Sequence, residues 1–240
     1  MPAITDIHGN AVAKPFAWSF SALNNFEQCP KKFAAYSIHK TIKEPENENM
    51  RWGFQVHNAM AKRIMNAAPL PKEMAPFEKW IDWAMANSDR TQVIMQAERK
   101  MAITVDHQPC EFFDRVKKPW FRTVLDVLKV RDKYARIIDW KTGHNVKPDS
   151  EQLALAAAVV FAHYPEVDHA LCQFVWLQED QKIEEVVSRS DLGHIWRMVQ
   201  PKVDAMRLAQ EKDDYPPKPS GLCKKYCAVV ACPYHGKGAY

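Results

Sequence analysis

The sequence lacks the features that would place the chain in a membrane or a secretory pathway. Among its 240 residues, no apolar run approaches the roughly 18 consecutive residues that a membrane-spanning helix requires. The N-terminus lacks the positively charged segment followed by an apolar segment that is typical of a signal peptide. We therefore predict a cytoplasmic protein with no membrane partner.

The sequence also has little excess of positive over negative charge, and it has few cysteines. The 33 lysines and arginines exceed the 29 acidic residues by only a formal charge of +4, which permits nucleic-acid binding without being evidence for it. The six cysteines are too few for a disulfide-dense secreted scaffold, and their clustering favours metal binding. The 47% hydrophobic content can bury a sizeable core, as one domain with extensions or at most two.

The stretch from Thr123 to Gly143 predicts two adjacent β-strands. Apolar and β-branched residues surround Asp126, and two isoleucines lead directly into Asp139. Because alternate side chains of a strand share a face, Asp139 and Lys141 point the same way. If the strands pair, Asp126 can lie near Asp139, and two such carboxylates suit Mg²⁺ or Mn²⁺. The alternative is surface acids and a lysine on an edge strand.

Two polar residues upstream are further candidates. Apolar residues at helical spacing predict a helix over 51–66 with His57 at the margin of its apolar stripe, where a histidine is usually a boundary residue. Apolar alternation predicts a strand over 92–104, in which Glu98 either contributes to the site or faces solvent.

Elements downstream complete an α/β pattern. Residues 151–163 are rich in alanine and predict a helix that carries Gln152. The segments 169–177 and 182–187 predict a β-hairpin. A long helix with an apolar stripe follows, and we expect Pro201 to kink or split it.

Three cysteines near the end of the chain form a compact set of soft ligands. Cys223, Cys227 and Cys232 are spaced by four and five residues. A metal would need a fourth ligand, and a tetrahedral structural zinc would take Cys29 or His235. Cysteines that bind nothing remain the alternative.

The order of these motifs resembles the PD-(D/E)XK nuclease superfamily and, within it, the RecB-like exonuclease branch. The resemblance rests on Asp126, on the residues Asp-Trp-Lys-Thr-Gly at 139–143 and on the helix that opens near Gln152. The phrase Gly-Phe-Gln-Val-His that ends at His57 resembles the helical His motif of this branch. The Cys-Pro pair at Cys29 resembles its opening segment.

The resemblance implies a metal-dependent DNA nuclease with a restriction-endonuclease-like core, in which helices flank a mixed central sheet. The implied catalytic residues are Asp126, Asp139, Lys141 and Gln152. The implied ligands of Mg²⁺ or Mn²⁺ are His57, Asp126, Asp139 and the backbone carbonyl of Trp140, with Glu98 as an additional candidate. Lys141 would orient or activate the attacking water.

The iron–sulfur members of the branch imply a role for the cysteines as well. A [4Fe–4S] cluster would be held by Cys29, Cys223, Cys227 and Cys232, and we favour it over structural zinc. The implied organisation is a loose lead-in at 1–18, a helical region at 19–90, the nuclease core at 91–190 and a C-terminal helix with the cysteine tail at 191–240. The tail would pack with the N-terminal region as a single domain.

Two departures from the family pattern leave other functions open. The family usually has glycine at the position of Thr123 and tyrosine at that of Ala156. We predict an exonuclease on single-stranded DNA or DNA ends, acting in recombination, repair or replication in a bacterial or phage-infected cell. The alternatives are a weakly cleaving or non-cleaving nucleic-acid-binding module and an adaptor subunit. With no P-loop in the sequence, a helicase, annealing protein or recombination protein would be a separate partner.

Overall fold

A six-stranded mixed sheet forms the centre of the protein. The computed structural model describes residues 16–43, 47–86 and 93–237. The strands are Ile94–Ile103 (β1), Pro109–Cys110 (β2), Phe121–Arg131 (β3), Tyr134–Lys141 (β4), His169–Trp176 (β5) and Gln181–Ser188 (β6). They lie in the order β2-β1-β3-β4-β5-β6, and every neighbouring pair is antiparallel except β4 and β5.

Helices cover both faces of this sheet. They are Phe20–Gln28 (α1), Pro30–Phe33 (α2), Glu48–Asn66 (α3), Glu78–Met85 (α4), Ser150–His163 (α5) and Leu192–Lys212 (α6). Ser19 caps α1 by accepting a hydrogen bond from the backbone of Ala22, as its sequence position predicts. Pro201 lies inside α6, which the structure keeps as one helix rather than two. None of the described helices combines the length and the hydropathy needed to cross a membrane.

Two apolar cores lie on opposite faces of the sheet. Helices α1, α5 and α6 contribute to the first, and α5 is buried on most of its circumference because it lies between the sheet and α6. Ala156 belongs to this core, where it is 6% exposed. Helices α3 and α4 contribute to the second through the predicted stripe of α3, Val56, Met60 and Ile64.

The start of the described chain differs from the predicted lead-in. Residues 1–15 of that segment lie outside the described residues. Trp18, which the prediction assigned to the loose segment, is instead buried and forms backbone hydrogen bonds with Trp120 and Arg122. Strand β2 is also absent from the prediction, since it is only two residues long and lies inside a polar connector.

The sheet opens at the position of the predicted carboxylates. Strands β3 and β4 pair as far as Val127 and Ile138, so Asp126 and Asp139 follow just beyond the last pair. The ladder between β1 and β3 is interrupted opposite Asp126, at Glu98. Glu98 has a φ of 49°, a left-handed conformation that is unusual for a residue other than glycine. Three acids therefore meet where the regular pairing fails.

Candidate active site

Asp126 connects three elements of the site. Its Oδ1 lies 3.0 Å from His57 Nδ1 on α3, and its Oδ2 accepts a hydrogen bond of 2.7 Å from the backbone N–H of Trp140 on β4. The helix can approach β4 because residue 53 is glycine: a Cβ there would lie 3.1 Å from Thr142 Oγ1. The spacing of Gly53 and His57 thus places the imidazole over the open end of the sheet.

His57, Glu98 and Asp126 form a compact group of ligand atoms. One ligand atom from each lies within 4.8 Å of the others. Within the described ranges, no other three histidine, cysteine, aspartate or glutamate side chains come this close together. Glu98 Oε1 is 3.8 Å from His57 Nδ1. The sequence left open whether Glu98 contributes to the site or faces solvent, and in the structure its carboxylate lies beside the site.

Asp139 makes a second cluster with Lys141 and Gln152. Gln152 Nε2 donates to Asp139 Oδ1 at 2.6 Å, and Lys141 Nζ donates to Gln152 Oε1 at 3.1 Å. Lys141 Nζ also lies 2.6 Å from Asp139 Oδ2 as an ion pair, although this buried oxygen accepts no well-aligned hydrogen bond. Gln152 therefore contacts both Asp139 and Lys141. The Nζ of Lys141 also lies 4.6 Å from the centre of the Phe174 ring.

The structure thus distributes the predicted metal ligands differently from the sequence. Asp139 faces Lys141 and Gln152 and is not in the compact group, where Glu98 stands in its place. Trp140 contributes its N–H to Asp126. Its carbonyl stays a predicted ligand.

The carboxylates of the site carry more negative charge than their neighbours neutralise. Burial, with the charge of Asp126 adding to it, raises the pKa of Asp139 to about 6 even though Lys141 acts in the opposite direction. Burial and Asp126 also raise the pKa of Glu98. Burial alone would lower the pKa of His57, but the hydrogen bond and charge of Asp126 outweigh it, so the pKa is raised.

These shifts and the donor set fit a divalent cation. Burial and the charge of Asp126 make ionisation of Asp139 harder than for a free carboxyl, and among the described residues Lys141 is the one cation paired with its Oδ2. A second positive charge would stabilise the ionised form further. Carboxylate oxygens with one imidazole are ligands that Mg²⁺ and Mn²⁺ accept.

The four predicted cluster cysteines lie around one small cavity. Cys29, Cys223, Cys227 and Cys232 are all free thiols and all line it, whereas His235 is not among the described residues that do. Backbone N–H groups donate to two of the sulfurs, from Lys218 to Cys29 and from Ser220 to Cys223, each at 3.4 Å. The tail is thereby joined to the N-terminal helices.

The sheet topology, with acids and a lysine at its open end, defines a restriction-endonuclease-like α/β protein. The PD-(D/E)XK nuclease superfamily matches the chain over residues 17–233, and the chain belongs to it. No curated protein sequence matches the chain.

One of two similar solved structures supports the fold. A candidate exonuclease from Eubacterium rectale aligns with a TM-score of 0.52 at 13% identity, over 88% of this chain and 86% of that one. SSO0001 aligns over 93% of this chain and 89% of its own with a TM-score of 0.47 at 13% identity, which is too low to indicate a shared fold by itself.

Proposed function

We propose that the protein is a Mg²⁺- or Mn²⁺-dependent deoxyribonuclease of the RecB-like branch. It would act as an exonuclease on single-stranded DNA or DNA ends, in recombination, repair or replication. The observation that carries the proposal is the contact of Asp139, Lys141 and Gln152 beside the group of His57, Glu98 and Asp126. A chain that belongs to a nuclease superfamily and holds these groups together has the parts for phosphodiester hydrolysis.

The proposal gives different roles to the side chains of the site. His57, Glu98, Asp126 and Asp139 would hold the metal, which when bound polarises the scissile phosphate and lowers the pKa of a water. Lys141 orients the water and stabilises the charge that develops on the phosphate. Gln152 fixes Asp139 and Lys141 relative to each other through its two hydrogen bonds.

The cysteine cavity supports a [4Fe–4S] cluster more than a zinc ion. A tetrahedral zinc with Zn–S bonds of about 2.3 Å brings its sulfurs to about 3.8 Å from one another. Within the part of the chain that the structure describes, no three of these sulfurs lie within 4.8 Å of each other. The sulfurs are therefore more widely spaced than around a zinc ion, and the two N–H donors would stabilise negative charge on the sulfur ligands of either centre.

Cleavage of linear and circular single strands tests the nuclease proposal. Anaerobically purified protein is incubated with end-labelled linear and closed circular DNA in Mg²⁺ or Mn²⁺. We expect degradation of the linear strand only, its loss in Lys141→Ala, and its retention in Lys133→Ala, because Lys133 also pairs with an aspartate but lies at the opposite end of β4. Intact DNA with either metal, together with retarded migration in a gel, would instead favour a binding module.

A further inference from the structure

Beside the carboxylates, two cations lie against two phenylalanine rings. Lys100 Nζ is 5.9 Å from the centre of the Phe112 ring and 5.6 Å from that of Phe113, and Arg122 Cζ is 5.6 Å from that of Phe112. The two rings contact each other edge to face at 4.9 Å. We call Lys100, Phe112, Phe113 and Arg122 the aromatic platform.

The strand register places this platform next to the candidate active site. Residues 122, 124 and 126 of β3 alternate, so Arg122 and Val124 share a face with Asp126. Lys100 is the partner of Val124 on β1, two residues after Glu98. Four residues of extended chain separate Arg122 from Asp126, a distance of about 13 Å.

A cavity of about 730 Å³ lies between one half of the platform and the Lys141–Gln152 side of the candidate active site. Its lining includes Lys141 and Gln152 as well as Phe112 and Arg122. The residues at the start of α1 form another part of its wall through Ser19, Ser21 and Asn24. A chain-like ligand in this trough would therefore contact Phe112, Arg122 and Lys141 at the same time, while Lys100 and Phe113 lie outside its lining.

The two cations of the platform form no ion pair with an acidic side chain in the described part of the chain. None of the ion pairs within 4.0 Å in the described ranges involves Lys100 or Arg122. The Nε of Arg122 is buried without a hydrogen bond. Phe113 is 71% exposed. Cations without an ion pair next to an exposed aromatic ring suit a ligand that alternates anionic groups with flat rings.

The backbone turn next to Phe113 is closed by the side chain of Asp114. Asp114 Oδ1 accepts hydrogen bonds of 2.8 Å from the backbone N–H groups of Val116 and Lys117. These bonds lower the pKa of Asp114. An aromatic side chain has only two side-chain torsion angles, so it loses little conformational entropy when a base stacks on it.

We propose that the aromatic platform binds single-stranded nucleic acid. A base stacks on Phe113, the phosphates beside it pair with Lys100 and Arg122, and the strand continues along the trough toward Lys141. An unpaired strand is required because bases in a duplex already stack on each other and offer no free face. Only the direction of the strand toward Lys141 rests on the proposed nuclease function.

Equilibrium binding of a fluorescein-labelled oligothymidylate in EDTA tests the proposal without cleavage. Phe113→Ala should weaken binding by about 5- to 150-fold, the value of one base–aromatic stack. Tyr134→Ala is the matched control, since Tyr134 is 64% exposed but lies at the far end of β4, and its affinity should equal that of the wild type. Equal affinities for all three proteins would overturn the platform.

The salt dependence separates the cations from the ring. Arg122→Gln should reduce the slope of log K against log salt by about 0.7, the contribution of one phosphate contact on a single strand. Phe113→Ala and Arg131→Gln should leave the slope unchanged, since Arg131 lies at the opposite end of β3 beside Asp132. A wild-type slope in Arg122→Gln would contradict the phosphate contact.

Base removal identifies the stack itself. A scan of abasic positions along the oligonucleotide should find one that weakens binding to the wild type but not to Phe113→Ala. Additive losses at every position would refute stacking on Phe113, and a larger effect of Phe113→Ala on a blunt duplex than on the single strand would refute the ligand class. A protein that passes these tests yet cleaves nothing would refute the nuclease proposal alone.

Discussion

Replacement of Glu98 separates backbone strain from metal binding. Glu98 combines a φ of 49° inside β1 with a carboxylate 3.8 Å from His57. Glu98→Gly and Glu98→Ala both remove the carboxylate, but only glycine adopts this backbone conformation without steric cost. We therefore expect the two variants to differ in stability and to agree in metal binding.

The expected difference follows from two opposing terms. The left-handed conformation costs a residue other than glycine about 1–2 kcal/mol. Glycine in a strand costs about 0.5–1 kcal/mol relative to alanine, because the unfolded chain gains freedom. Glu98→Gly should thus exceed Glu98→Ala in unfolding free energy by about 0.5–1 kcal/mol. For a chain of this length the difference raises the Tm by about 1–4 °C.

Thermal unfolding in EDTA and in Mn²⁺ measures both effects. At a concentration of 100 times its Kd, an ion stabilises the folded wild type by about 2.7 kcal/mol. Both Glu98 variants should lose most of this gain. Asp132 has a φ of 51°, so its glycine and alanine variants provide a control with the same stability order and a full response to Mn²⁺. If Glu98→Ala is the more stable variant in EDTA, the strain argument is wrong; an undiminished Mn²⁺ response in both variants refutes the ligand assignment.

Three further predictions concern contacts outside the Glu98 backbone. Gln152→Ala should reduce cleavage by about 10- to 100-fold, because it frees Asp139 and Lys141 from each other without removing a charge; an unchanged cleavage rate would contradict this role. Arg189→Ala should lower the unfolding free energy by about 3 kcal/mol in urea titrations, since the guanidinium donates to the carbonyls at the end of α5 and the loop that follows; Arg189→Lys should lose part of this. Cys29→Ser should lose iron and visible absorbance, whereas Cys110→Ala, which alters a buried thiol away from the cavity, should keep both.

Local periodicity accounts for the part of the site that the sequence predicts. Asp139 and Lys141 are two residues apart on a strand, so their common face follows from the pleat alone. The alanine-rich segment after β4 similarly predicts a helix with Gln152 near its start. In each case the information lies within a few residues of the chain.

The remaining features depend on contacts between distant segments. His57 meets Asp126 across 69 residues, and only the family resemblance pointed to that contact. The left-handed backbone of Glu98 has no local sequence signal, because the residue is not one that favours this region. Trp18 is buried because it bridges to Phe121, a contact that the early chain, which has no regular periodicity, does not predict.

The junction between the tail and the N-terminal helices sets an order of events during synthesis. The contact of Lys218 with Cys29 spans 189 residues. At translation rates of about 5–20 residues per second, Cys29 leaves the ribosome about 10–40 s before its partner. Throughout that interval the strands between them are already being made, so the sheet can assemble around a cysteine that still has no neighbour. Closure of the junction is therefore a late step of folding.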